Sequence, residues 1–116
     1  LVEMTRPSGV DVELDLAALP VLEGAEETAA AGILSSLQPA NVRLRRALRN
    51  QAQRVRHPRY PLLFDPQTAG GLLASVPAAR AEACLRRLRE LGYRQAAAIG
   101  RVLARGDAPE PIVLRA

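Results

Sequence analysis

Lysine and tryptophan are absent from this 116-residue sequence, and cysteine occurs once, at Cys84. Each absence removes a class of chemistry. Without lysine there is no Schiff-base amine, no lysine general base and no ammonium clamp for a phosphate; all 16 strongly basic side chains are Arg. A single thiol makes neither an internal disulfide nor a cysteine metal cluster, a usage that fits a reducing compartment. One Phe and two Tyr leave the core to Leu, Val, Ile and Ala and offer no aromatic platform for stacking bases. The longest apolar runs, such as Leu62 to Phe64 and Gly71 to Ala74, fall far short of a membrane span. Glu3, Arg6 and Pro7 interrupt any signal-peptide pattern, so a cytoplasmic protein with no membrane partner is expected.

The length suits one hydrophobic core, hence a single domain over residues 1–116. Leu1 to Met4 reads as the last turn of a helix, broken at Pro7, Ser8 and Gly9. Val10, Val12 and Leu14 alternate with Asp11, Glu13 and Asp15, the pattern of a strand with one buried face, and a turn follows over Leu16 to Pro20. Val21 to Ala31 is helix-prone, with Glu23, Glu26 and Glu27 near its positive end and Gly32 closing it. Ile33 to Leu37, with Pro39 behind it, reads as extended or irregular. Asn41 can cap a helix that carries Leu44, Ala47, Leu48, Ala52 and Val55 on one face and stops at His57-Pro58. Tyr60 to Phe64 and Gly71 to Val76 read as strands, followed by a helix from Pro77 to Gly92 with a stripe of Ala81, Cys84, Leu85, Leu88 and Leu91. A strand over about Ala96 to Leu103 would complete a strand-helix-strand unit, and Ile112 to Leu114 would add another. The expected fold class is α/β (α+β): a two-layer sandwich with a mixed four- to six-stranded sheet, helices on one face, and an exposed apolar patch on the other.

The turn Asp65-Pro66-Gln67-Thr68-Ala69-Gly70-Gly71 is the most informative segment. Gly70 and Gly71 permit positive φ and close backbone approach, Thr68 supplies a hydroxyl, and consecutive amides can form a concave anion site beside Asp65 and Gln67. A tight connection between strands, with Asp65 bonding its own downstream backbone, explains the same residues. Other groups have plain readings. Cys84 lies on a helical apolar stripe, where a thiol is inert packing. His57 has no second imidazole and no acidic neighbour in sequence, so it reads as a loop residue. Glu26 and Glu27 are adjacent and diverge on a helix. No residue is assigned as catalytic or as a metal ligand. The basic tract Arg43, Arg45, Arg46, Arg49, Arg54, Arg56 and Arg59 could neutralise phosphates, but no aromatic side chain is interleaved, and a solvated face is favoured over a nucleic-acid partner.

The Asp65-to-Gly71 segment resembles the Asp-Pro-Gln-Thr-Ser-Gly-Gly loop of the selenide, water dikinase (selenophosphate synthetase) family, C-terminal domain, within the aminoimidazole-ribonucleotide-synthetase-like superfamily. Ala69 stands where that loop commonly has Ser. Leu1-Val2-Glu3-Met4 with Ser8-Gly9 resembles the stretch after the family's Asp-Val-Thr-Gly-Phe-Gly-Leu motif. Asp15-Leu16 through Leu19-Pro20, Gly32 to Asn41 and Ile99 to Val102 are similar to the same domain. The resemblance implies an enzyme that makes selenophosphate from selenide, ATP and water as a magnesium-dependent homodimer. It also implies that the catalytic Cys or selenocysteine, the Lys and the metal-binding Asp residues belong to an N-terminal catalytic domain absent from this chain. ATP and Mg2+ would then serve the intact enzyme, with no cofactor held by this part alone. The wording around Tyr60 to Leu73 resembles members fused behind a flavin-dependent oxidoreductase domain. What the resemblance leaves to this chain is to close one wall of the nucleotide cleft, with Asp65, Gln67, Thr68, Gly70 and Gly71 facing the reacting phosphates and Asn41 as a secondary candidate. The alternatives are a structural or interaction domain of another member of the superfamily, or a basic nucleic-acid-binding module.

Overall fold

In the computed structural model, which describes residues 1–67 and 70–116, the alternating segment becomes the middle of a three-stranded sheet. β1 (Val10–Asp15) pairs antiparallel with β2 (Gly100–Ala104) and parallel with β3 (Ile112–Arg115), in the order β2-β1-β3. Val12 stands opposite Val102 and Ile112, and Leu14 opposite Gly100 and Leu114. The register therefore aligns apolar side chains across the sheet, and Val12, Leu14, Ile112 and Leu114 are buried.

The acids on β1 are matched by arginines. Arg101 Nε on β2 donates to Glu13 Oε1 at 2.8 Å, and Arg115 Nε on β3 donates to Oε2 at 2.7 Å. Asp11 is buried, and its carboxylate accepts from Arg49 Nη2 at 2.7 Å, from Arg105 Nη1, and from the Gly106 N–H at 3.1 Å. The Arg49 hydrogen bond is the largest influence; with Arg105 and Gly106 it outweighs burial and lowers the Asp11 pKa to about 2. Where β1 and β2 meet at Gly100, a Cβ would collide with the Glu13 carbonyl and lie 3.2 Å from Leu14 Cα. Only glycine fits that approach.

The helices are short. α1 (Val2–Ser8) ends at Gly9, whose left-handed φ of 59° lets its N–H reach the carbonyls of the last turn. α2 (Ala25–Ala30) is shorter than the expected Val21-to-Ala31 helix because Gly24 and Gly32 on either side have positive φ. The single helix expected after Asn41 is broken into α3 (Gln38–Val42), a 3-10 turn over Arg43–Ala47, and α4 (Gln51–Arg54). The cause is the edge of β3. Leu48 is extended and bridges Ile112, the Arg49 N–H donates to the Ile112 carbonyl at 2.8 Å, and Asn50 forms a pair of hydrogen bonds with the Leu114 backbone. Those sheet-edge bonds outweigh helical propensity and leave Leu44 and Val55 exposed while Ala47 and Leu48 are buried.

Tyr60 to Phe64, expected as a strand, ends in a 3-10 turn over Pro61–Phe64. Pro61 has no N–H for a sheet ladder, and Tyr60 packs edge-on against Phe64 with ring centroids 5.3 Å apart. Both rings join Leu14, Leu16, Ala47, Leu48, Ile112 and Leu114 in the core. Gly71 to Val76, also expected as a strand, is in neither helix nor strand, and Leu72 is 98% exposed. A 3-10 turn over Ala78–Arg80 leads into α5 (Ala81–Glu90), whose stripe is only half-buried, and Gly92 at φ 99° follows it. The expected strand-helix-strand unit thus contributes α5 and β2 while its first strand lies outside the sheet. Among the described residues the architecture is mixed α/β with three strands rather than four to six, and β2 is exposed along its whole length.

Candidate functional site

The chain leaves the core at Phe64, and two side-chain amides hold that exit. Gln38, on α3, is buried, and its Nε2 donates to the Pro61 carbonyl at 2.8 Å. Asn41, one helical turn further on, donates from Nδ2 to the Phe64 carbonyl at 3.2 Å. Asn41 therefore lies inside α3 and braces a remote turn, whereas the sequence suggested that it caps the following helix. The Asp65 N–H donates to the Leu62 carbonyl at 3.3 Å, and at Asp65 the backbone becomes extended.

Beyond this exit the candidate residues face outward. Asp65, Gln67, Gly70 and Gly71 are exposed; Thr68, with Ala69, lies outside the described residues. A Cβ at Gly70 would come within 2.6 Å of Gln67 Oε1, so the Gln67 side chain lies over that glycine. Gly71 has open space around its α-carbon and no left-handed backbone, so the positive φ allowed by the sequence is not used there.

The acids that hold the fold are committed: Asp11 and Glu13 to arginines, Asp15 to the N–H groups of Ala17 and Ala18, and Glu26 to Arg59. The carboxylate of Asp65 has no hydrogen-bond or ion-pair partner among the described residues. The loop can accept hydrogen bonds through Asp65 and Gln67 and offer backbone amides to an anion. Among its described residues no nucleophile is paired with a base.

Two arginines of the basic tract have structural duties that the sequence did not reveal. Arg49 serves Asp11, and Arg59 joins Glu26 at 2.6 Å to the carbonyls of Ala17 and Leu19 at 2.6 and 2.8 Å. Arg43, Arg45, Arg46 and Arg56 remain exposed. The Tyr60 hydroxyl is buried without a hydrogen bond among the described residues; burial raises its pKa, against an opposing influence from Arg45. His57 accepts the Arg59 N–H at Nδ1, 3.2 Å away, and Cys84 is half-buried on α5. Among the described residues no group of three or more His, Cys, Asp or Glu side chains is placed to hold a metal ion. No helix among them is long and apolar enough to cross a membrane.

Residues 1–109 match the family model for the AIR synthase related protein, C-terminal domain. Selenide, water dikinase 2 of Peptoclostridium acidaminophilum is 35% identical over 108 residues, 90% of this chain and 30% of that protein. Selenide, water dikinase of Caldanaerobacter subterraneus subsp. tengcongensis is 37% identical over 103 residues, 86% of this chain and 29% of its own length. The enzyme of the same name from Clostridioides difficile is 31% identical over 105 residues, 90% and 30% of the two chains. The chain thus spans about 30% of the length of these relatives.

Proposed function

Because the chain belongs to the AIR synthase related protein C-terminal domain family, we propose that it is the C-terminal part of a selenide, water dikinase, with the Asp65-to-Gly71 loop facing the reacting phosphates. The observation that carries the site is the braced exit of the chain from the core, where the amides of Gln38 and Asn41 hold the carbonyls of Pro61 and Phe64. Beyond that turn Asp65, Gln67, Gly70 and Gly71 are exposed.

In this reading the intact enzyme makes selenophosphate from selenide, ATP and water in the cytoplasm, as a homodimer. Its nucleophile and magnesium ligands are supplied by a preceding catalytic domain, and a flavin-dependent oxidoreductase domain stands further upstream. The part described here closes one wall of the nucleotide cleft. Asp65 and Gln67 orient the loop or accept hydrogen bonds from the substrate, Thr68 offers a hydroxyl, and Gly70 and Gly71 let the backbone come close. In the intact protein Gly71 to Val76 adds to an open sheet edge as a further strand, bringing the sheet toward the four to six strands that the sequence suggests, and the apolar side chains of α5 and β2 are covered.

In the intact enzyme, Gly70→Val or Thr68→Val should lower ATP-dependent selenophosphate formation at least about tenfold, while thermal unfolding shifts by about 1 kcal/mol or less. Full activity in both variants would reduce the loop to a connector.

A further inference from the structure

We infer that Gln38 and Asn41 are positioning residues that aim the Asp65-to-Gly71 loop, an inference that rests on reading the loop as ligand-facing. Residues 38 and 41 are three apart on α3 and so share a face. Their amides reach across 23 positions of sequence in each case to the two ends of one 3-10 turn, the Pro61 carbonyl and the Phe64 carbonyl. One anchor would fix the position of that turn and leave its direction free. Two anchors fix both.

The last carbonyls of a helical turn have no partner within it, and Phe64 is the last residue of this turn. The side chain that satisfies it, Asn41, therefore acts where the loop begins. On the inner side the same turn is held by Tyr60 and Phe64 in the core. Amide bonds and packed rings together fix the turn from which Asp65 departs.

The two anchors are unequal. Gln38 is 5% exposed and donates at 2.8 Å, so losing its bond leaves a polar group without water to replace it. Asn41 is only half-buried and donates at 3.2 Å, so its loss costs less stability and acts mainly on aim. Asn50 provides a matched control. It too bonds a remote backbone, donating to the Leu114 carbonyl at 2.8 Å and accepting the Leu114 N–H at 2.9 Å, but it secures β3 rather than the loop.

The experiment compares Asn41→Asp, Gln38→Met and Asn50→Asp in the intact enzyme, measuring kcat and KM for ATP, thermal unfolding, and amide hydrogen exchange over residues 62–73. Asn41→Asp turns the donor into an acceptor facing the Phe64 carbonyl. It should lower kcat/KM for ATP about tenfold or more and speed exchange in the loop, because a small misplacement of a positioning element has effects of that order. Asn50→Asp should destabilise comparably yet keep kcat/KM within about twofold and loop exchange unchanged. If Asn41→Asp behaves like Asn50→Asp while Gly70→Val is impaired, the positioning role is wrong and the loop's role survives. If Gly70→Val and Thr68→Val are fully active, the functional reading itself fails, and with it the inference. Should Gln38→Met not fold, Asn41→Asp decides the outcome alone.

Discussion

At the scale of single residues, the chain uses arginine in places where an exposed face would be the simple reading. Arg49 and Arg105 both bind the carboxylate of Asp11, and Arg101 and Arg115 share Glu13. Asp11 has a lowered pKa, from 3.8 to about 2, so the folded state holds its proton less tightly than the unfolded chain. The stability it contributes is complete above about pH 4 and is lost as the pH falls through about 2. Glu13 is lowered as well, by Arg115 first and then Arg101, and adds to the loss in the same direction. Following Tm by circular dichroism from neutral to strongly acid pH should therefore show a shallower decline for Asp11→Asn than for the natural chain. Equal slopes would mean that the carboxylate is not held by these arginines. None of this could be read from sequence, because Arg49 and Asp11 are 38 positions apart and their neighbours give no sign of pairing. The same is true of Gln38 and Asn41. The loop drew notice through its glycines and its resemblance, whereas an amide that braces a turn 23 positions away leaves no local pattern.

At the scale of elements, β1 was legible because strict alternation over Val10 to Asp15 has one good structural solution. The helix expected over Asn41 to Val55 was not, because its apolar spacing competed with an edge strand that captures Leu48 and Arg49. Tyr60 to Phe64 shows a different ambiguity: a short apolar run carries no period, and Pro61 together with ring packing decides for a 3-10 turn. Gly71 to Val76 has a strand's composition but no partner among the described residues, and propensity alone does not make a strand. The close approach of β1 and β2 gives a direct test of the register. Gly100→Ala should destabilise the chain by about 1–3 kcal/mol in urea unfolding, since the added methyl meets backbone that cannot move without breaking the ladder. Gly71→Ala, with open space around it, should stay within about 0.5 kcal/mol. Similar costs for the two would place the β1–β2 register in error.

At the scale of the whole molecule, the chain has a core and a braced loop but no complete catalytic apparatus among its described residues. The isolated chain should therefore show no ATP turnover above background in a coupled nucleotide-release assay, at any selenide concentration. Turnover by this piece alone would contradict the proposed division of labour between domains. The mixed α/β class was legible at this scale, and the size of the sheet was not, since strand count depends on which edges find partners. The sheet order also bears on how the molecule comes into being. β1 lies near the start of the sequence, and both strands beside it are drawn from residues 100–115, one on each flank. During synthesis the first strand must emerge and wait, unpaired, until nearly the whole segment has cleared the ribosome. Contacts this distant along the chain close slowly, which makes β1 the stretch most in need of shielding by a chaperone before its neighbours arrive.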